Sequence, residues 1–195
     1  WLYLSDMERD YDDLNRVRSR FFDRVGVHDV PASTGIQGGV YPGDRSGSMD
    51  LYAMRASSAF DKRQMHAKTL NEAWSYGSAF CRGMEVTRED RTVLYVSGTA
   101  SIDENGQIVS VGDIDGQVER MLSNVEALLA GSHATPADLV RATTYLKEPA
   151  YRQVFERGWR GRGFPLQIPH TVCVADVCRP DWLCETEVVA VTEPR

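Results

Sequence analysis

The sequence has no long apolar segment and no concentration of basic residues. Its apolar runs, for example residues 93–96 and 188–191, are far shorter than the roughly 20 residues that a membrane-spanning helix needs. The 22 lysines and arginines are scattered among 28 aspartates and glutamates, which gives a formal net charge of −6. A nucleic-acid-binding surface would need a basic patch, so none is expected. We therefore expect a cytoplasmic protein that contacts no membrane and whose partner is a small molecule.

Cysteine is scarce, and its spacing fits neither a metal site nor a disulfide framework. The four cysteines lack C-x-x-C spacing and have no histidines at the spacing of metal ligands. Hydrophobic residues make up 42% of the chain, so a core can form without cross-links. We expect reduced thiols and no metal. The chain begins with Trp1 and not with methionine, which indicates that an N-terminal part has been lost.

The first third of the chain predicts one helix followed by a long loop. The tetrapeptide that begins at Ser5 has the Ser-x-x-Glu form of a capping box, and apolar residues then recur at helical spacing up to Gly26. Residues 31–48 are rich in Gly, Ser and Pro, which predicts a loop, and residues 49–54 predict a short strand. The predicted apolar stripe of the helix consists of Met7, Tyr11, Leu14, Val17, Phe21 and Val25.

Strands and helices are predicted to alternate after Tyr76, in the order β-β-α-β-α-β-β. The helix after residue 113 can be capped by Asp113 or Asp115, and Gly131 ends it. This order predicts an α+β fold with a mixed sheet, helices on one face, and a partner over the other face. The predicted elements are a strand at 92–97, a turn at 103–106, a strand at 107–109, the helix to Gly131, a helical turn at 136–139, a strand at 140–147, a helix at 150–159, and strands at 172–177 and 184–191.

Several blocks resemble the RidA/YjgF superfamily in order and spacing. They are Leu-Tyr-Val-Ser-Gly-Thr-Ala at 94–100, the helix after Asp113, the strand at 141–146 and the Glu-x-Glu ending at 184–191. The resemblance implies a RidA/YjgF-like domain over residues 70–195, with residues 1–69 as the remnant of a larger N-terminal region. It also implies a homotrimer or pseudo-trimer, or association with the missing N-terminal portion, with ligand clefts between neighbours.

The resemblance departs from the typical deaminases at their carboxylate anchor. Those enzymes carry an arginine at the position that His170 occupies here, counted back from Glu185. A neutral imidazole cannot replace a bidentate guanidinium, which makes imine or enamine deamination less favoured. We regard His170 either as a ligand contact or as a structural histidine.

Further blocks resemble the chorismatases, namely residues 32–39, 49–53, 76–85, 97–103 and 175–181. The resemblance covers about residues 31–191, the C-terminal portion of a longer enzyme. It implies cleavage of the small anionic substrate chorismate to pyruvate plus 3-hydroxybenzoate or a dihydroxycyclohexadiene carboxylate. The alternatives are a RidA-like deaminase with an altered anchor and a non-catalytic ligand-binding or assembly subunit.

Cleavage of an enolpyruvyl ether starts with proton transfer to its methylene carbon. This step needs a carboxylic acid that an apolar pocket keeps protonated and a charge stabiliser, but no metal or organic cofactor. Glu185, between Cys184 and Val188 on a predicted strand, is the candidate acid. The alternative is that Glu185 and Glu187 share a solvated strand face, and Glu187 is the substitute acid.

The candidate substrate-binding residues follow from the resemblance and from the two carboxylates of chorismate. Arg82 would clamp a carboxylate, and Glu85 would be a hydrogen-bond partner for a ring hydroxyl or for Arg82. The alternative is that Arg82 and Glu85 form a surface ion pair. Tyr76 is either a phenol donor or a core aromatic. Arg162, in a Gly-rich loop with Arg160, belongs either to a lid or to a solvated loop.

Cys178 lies seven residues before Glu185. In the chorismatases the side chain at this position helps decide the ring product, and the resemblance associates a cysteine with the aromatising, 3-hydroxybenzoate-forming type. The alternative is a buried structural thiol.

Overall fold

A computed structural model describes residues 1–55 and 60–194. The strands are β1 Leu2–Leu4, β2 Gly35–Gln37, β3 Gly47–Met49, β4 Asp61–Gln64, β5 Gly83–Thr87, β6 Thr92–Ala100, β7 Leu139–Leu146, β8 His170–Val174 and β9 Cys184–Thr192. The helices are α1 Met7–Val25, α2 Ile114–Gly131 and α3 Arg152–Gly161, with 3-10 turns at Ala73–Tyr76, Pro136–Asp138 and Pro149–Tyr151. No helix in these two ranges is long and apolar enough to cross a membrane.

The larger sheet has six strands in the order β4-β5-β6-β9-β7-β8. Only β7 and β8 run parallel, and the other neighbours are antiparallel. Helices α2 and α3 pack on one face of this sheet around fully buried residues such as Leu94, Leu122 and Val188. The predicted α+β fold, with a mixed sheet and helices on one face, is confirmed.

Two predicted strands are wrong. Residues 107–109 form only one bridge, between Ile102 and Ile108, because Asp103 closes a tight turn by accepting hydrogen bonds from the backbone N–H groups of Asn105 and Gln107. Strand β6 pairs instead with β5, which in turn pairs with β4. Neither β4 nor β5 was predicted from the sequence. Of the strand predicted at residues 49–54, only Met49 belongs to a strand.

The second face of the sheet is covered in part by the N-terminal segment of the same chain. Along β9, Cys184 and Val188 face the helices, whereas Glu185 and Glu187 point to the opposite face. Glu187 accepts a hydrogen bond of 2.6 Å from the indole of Trp1 and another from the Thr34 hydroxyl. We expected a partner to cover this face. Near Glu185 and Glu187 the N-terminal segment of the same chain covers it, so the expectation is wrong at this part of the sheet.

Helix α1 is rotated relative to its predicted apolar stripe. Its N-cap is Asp6, whose carboxylate accepts from the Arg9 N–H, and not Ser5. Gly26 ends it in the left-handed conformation, with φ 69°. Val17 is 60% exposed and Phe21 is 46% exposed, so the far half of the apolar stripe lies on the surface.

Candidate active site

A cavity of about 480 Å³ lies between α1 and the second face of the large sheet. Its wall is built from α1, the loop before β2, residues 76–82, the end of β6, residues 178–182 and the start of β9. Both predicted parts of the chain, 1–69 and 70–195, therefore contribute to one cavity.

Glu185 lies on β9 and is 3% exposed, with its carboxyl group at the cavity wall. This carboxyl group forms no hydrogen bond and no ion pair with any residue in the described part of the chain. Burial, and to a smaller extent the nearby Glu187, raise the pKa of Glu185 to about 8, although the Arg82 guanidinium opposes this shift. The site thus holds a carboxylic acid that is mostly protonated at neutral pH and has no hydrogen-bond partner among these residues.

The space for this carboxyl group comes from Gly98. The pairing of β6 with β9 is irregular between Val96 and Thr99, and Gly98 lies within this irregular stretch. A Cβ atom at Gly98 would be 2.0 Å from Glu185 Oε1 and 2.9 Å from Thr34 Cγ2. No side chain larger than hydrogen fits here while Glu185 keeps its position.

Glu187 is in a different environment from Glu185. It accepts hydrogen bonds from Trp1 Nε1 and Thr34 Oγ1, and Arg141 Nη2 lies 3.5 Å from its Oε1. These contacts tie the N-terminal segment to the sheet. Glu187 does not line the cavity, so the geometry does not support it as the substitute acid.

Arg82 and Arg179 are held by aromatic rings. Arg82 lies 5.5 Å from the ring centroid of Tyr76, and Arg179 lies 5.0 Å from the same ring and 4.9 Å from that of Trp182. Arg82 also donates from Nε and Nη2 to the carbonyl and side-chain oxygens of Asn71, at 2.7 and 2.8 Å. Cation–π contacts stabilise a guanidinium without neutralising its charge.

A third guanidinium, that of Arg18, reaches the cavity from α1 and donates a hydrogen bond to the Ala79 carbonyl. Arg18, Arg82 and Arg179 form no ion pair with a carboxylate in the described part of the chain. The cavity wall therefore combines a neutral acid with three cations, an arrangement that suits an anionic ligand.

Tyr76 and Cys178 lie at the cavity as the sequence analysis predicted. Burial raises the pKa of the Tyr76 phenol, so it stays protonated and can donate a hydrogen bond. Cys178 donates from Sγ to the Gly35 carbonyl at 3.1 Å, and burial raises the pKa of its thiol. Cys178 is therefore a neutral thiol, which argues against a nucleophilic role.

Glu85 and Arg162 lie outside the cavity, in contrast to the predicted binding roles. Glu85 lies on β5, where its carboxylate pairs with Arg63 at 2.9 Å. Arg162 follows α3 and donates to Glu119 at 2.8 Å and to Glu126. Both charges are already paired by other residues.

His170 also lies away from the cavity. Its ring packs 4.5 Å from that of Trp159 and 5.5 Å from that of Phe155, and Thr144 Oγ1 is 3.0 Å from its Nε2. Burial lowers the pKa of His170, which favours the neutral ring. These contacts, on the helix side of the sheet, favour the structural alternative.

Helix α1 contributes a part of the site that was not predicted from the sequence. Tyr11, Asn15 and Arg18 line the cavity and follow one another at the i, i+4, i+7 spacing of one helix face. This spacing of polar residues inside an amphipathic helix was the available signal. No cluster of three or more potential metal-ligating side chains occurs in residues 1–55 and 60–194.

Residues 80–192, more than half of the chain, match the model of the family described as endoribonuclease L-PSP. The chain belongs to this family. One relative, the 3-aminoacrylate deaminase RutC of Acinetobacter baylyi, is 30% identical over 103 residues, which are 50% of this chain and 78% of the relative. A RutC family protein of Pyrococcus abyssi is 41% identical over 56 residues, 28% of this chain and 43% of that protein.

Two solved structures share the fold of this chain. RidA from an Antarctic Psychrobacter has a TM-score of 0.54 and 14% identity, and the match covers 67% of this chain and 99% of RidA. A chorismatase has a TM-score of 0.78 and 19% identity, covering 97% of this chain and 62% of the chorismatase. The predicted RidA-like fold is confirmed. The chain spans less than two thirds of the length of the chorismatase.

Proposed function

We propose that this chain is the catalytic portion of a chorismatase-type enzyme that cleaves the enolpyruvyl ether of chorismate. The observation that carries the proposal is Glu185, a buried carboxyl group with a pKa of about 8 and no partner among the described residues, beside guanidinium groups without counter-ions. Such an acid can protonate carbon at neutral pH, and such a cavity attracts a dicarboxylate. The match over 97% of the chain to a chorismatase supports the same assignment.

Protonated Glu185 transfers its proton to the methylene carbon of the enolpyruvyl group. The adjacent carbon becomes an oxocarbenium ion, which the newly formed Glu185 carboxylate stabilises. Water adds to this cation, and the hemiketal collapses to pyruvate and a ring alcohol, so chorismate and water give pyruvate and the dihydroxycyclohexadiene carboxylate. If the ring instead aromatises with loss of water, the products are pyruvate and 3-hydroxybenzoate, with no net consumption of water.

Arg82 would bind one substrate carboxylate, and the Tyr76 phenol would donate to the same group. Two of the five guanidinium N–H groups of Arg82 point at Asn71, through Nε and Nη2, which fixes the plane of the guanidinium. Stacking on Tyr76 restricts it further. A fixed orientation reduces the entropy that the enzyme loses when the ligand binds.

The direct experiment is incubation with chorismate and measurement of pyruvate by coupled reduction to lactate. We expect the wild-type chain to release pyruvate and Glu185→Gln to be about 10² to 10⁴ times slower, because an amide cannot deliver a proton. Glu126→Gln, a carboxyl-to-amide change on α2 outside the cavity, is the matched control and should retain full activity. Full activity of the Glu185 variant would contradict the mechanism.

The second candidate function is imine or enamine deamination, and it rests on the 30% identity to 3-aminoacrylate deaminase. Against it stands His170, which takes the place of the expected arginine and packs against Trp159 and Phe155. Ammonia release from an imine substrate without pyruvate release from chorismate would favour this candidate. Absence of both activities would favour a non-catalytic ligand-binding or assembly subunit.

A further inference from the structure

Helix α1 supplies a wall of the cavity and lies outside the part of the chain that matches the L-PSP family. RidA is matched over 99% of its length by only 67% of this chain, and the family match starts at residue 80. Tyr11, Asn15 and Arg18 all precede that match and line the cavity. Any ligand specificity that α1 provides therefore comes from residues outside the family match.

Arg18 is a half-buried cation without a counter-ion among the described residues. Among these residues, the guanidinium of Arg18 donates one hydrogen bond, to the Ala79 carbonyl. Its guanidinium also lies 5.8 Å from the ring centroid of Phe22, a contact that does not neutralise the charge. A charge removed from water without a counter-ion is unfavourable, and burial accordingly lowers the pKa of Arg18. Asp12 also lines the cavity, but it is exposed, so solvent screens its charge. An anion bound at Arg18 would offset the cost of burying this charge without a counter-ion.

Asn15, one helical turn before Arg18, is also incompletely satisfied. It is 7% exposed, and its Nδ2 donates to the Tyr11 carbonyl at 3.1 Å. Its Oδ1 is buried and accepts no hydrogen bond from the described residues. On this face of α1, the Arg18 guanidinium can therefore still bind an anion, and Asn15 Oδ1 can still accept a hydrogen bond.

We propose that Arg18 forms a second anion subsite, distinct from that of Arg82, through which the cavity selects a ligand with two anionic groups over one with a single anionic group. The inference rests on the proposed function only in that the first anionic group is assigned to Arg82. Arg18 is then the residue that determines specificity for dianions. Arg82 and Tyr76 alone would bind either class.

The test compares two unreactive aromatic ligands by isothermal titration calorimetry. 3-(Carboxymethoxy)benzoate has two carboxylates and no methylene double bond, and 3-methoxybenzoate has one carboxylate. The wild-type chain should bind the first at least about tenfold more tightly, because a charge-assisted hydrogen bond contributes roughly 1.5 to 3 kcal/mol. In Arg18→Gln the affinity for the dianion should fall about 10- to 100-fold, and that for the monoanion should change less than about twofold.

Arg20→Gln is the control, since Arg20 is exposed on the same helix and does not line the cavity. It should bind both ligands like the wild type. Equal losses for both ligands in Arg18→Gln, or no loss for either, would overturn the subsite. If circular dichroism shows that Arg18→Gln is unfolded, Arg18→Lys decides, because it keeps the charge and loses the planar fork. A dianion affinity about fivefold lower would support the subsite, and unchanged affinity would overturn it.

Chorismate turnover is measured separately, which keeps the two proposals apart. If the wild type releases no pyruvate but its dianion preference depends on Arg18, the subsite stands and the chorismate assignment fails. If pyruvate is released and Arg18→Gln keeps the dianion preference, the assignment stands and the subsite fails.

Discussion

Gly98 is required at its position because the Glu185 carboxyl group occupies the space of a side chain. In Gly98→Ala the new methyl group would lie 2.0 Å from Glu185 Oε1, so the carboxyl group must move. Because a displacement of about 1 Å can lower a rate about 10²-fold, we expect kcat to fall by about that factor, with the fold retained. Gly161→Ala, where an added Cβ meets nothing within 4 Å, is the control. Equal kcat values for both variants would place the reacting atoms elsewhere.

Arg82→Lys tests whether Arg82 binds the substrate as a planar fork. Lysine keeps the charge but cannot keep both Asn71 contacts and the stacking on Tyr76. We expect KM for chorismate to rise about tenfold or more with a smaller change in kcat, measured by steady-state pyruvate release. An unchanged KM would mean that Arg82 supports the cavity wall without touching the substrate.

Cys178→Val tests the finer proposal of a 3-hydroxybenzoate-forming enzyme. The small thiol lines the cavity and donates to the Gly35 carbonyl, whereas valine is bulkier and donates nothing. We expect pyruvate release to continue while the ring product shifts from 3-hydroxybenzoate to the dihydroxycyclohexadiene carboxylate, measured as a chromatographic ratio. The same ratio at normal activity would reduce Cys178 to a structural thiol.

At the scale of elements, strands β6 and β9 and helix α2 could be predicted from sequence because their apolar residues recur at the period of each element. The stretch that begins at Thr92 forms a strand, and the Glu-x-Glu ending forms β9 with Glu185 and Glu187 on one face. Glu185 became the candidate acid through the family resemblance together with its apolar neighbours on the strand, because the pattern of residues alone also fits a solvated strand face.

Helix α1 shows why the rest of the site could not be predicted. Periodicity of apolar residues places Val17 and Phe21 inside, yet both are exposed, and the buried face carries Asn15. A helix that borders a polar cavity buries its polar residues, which apolar patterning assigns to the surface. The contact of Arg18 with Ala79 joins residues 61 positions apart, and such a distance in sequence leaves no local pattern.

For the molecule as a whole, the buried Glu185 makes stability depend on pH. Its pKa is raised from 4.5 in the unfolded chain to about 8 in the folded chain, so the folded state binds more protons between these values. The contribution of Glu185 to stability is therefore full below about pH 4.5 and is lost as the pH rises towards 8.

This pH dependence gives a measurable difference between the wild type and Glu185→Gln. Each pKa unit corresponds to about 1.4 kcal/mol, so the free energy of unfolding of the variant, relative to the wild type, should rise by a few kcal/mol between about pH 5 and pH 9. Urea denaturation at the two pH values measures it. A difference that does not change with pH would mean that Glu185 is not buried in solution.

The central claim is that Glu185 acts as a general acid on chorismate, and the pH profile of kcat/KM for pyruvate release tests it most directly. Because Glu185 must be protonated, and its pKa is about 8, kcat/KM should be constant at lower pH and fall about tenfold per pH unit above that value. In Glu185→Gln the remaining activity should not show this decline. A kcat/KM that rises through pH 8, or the same decline in the variant, would contradict the account.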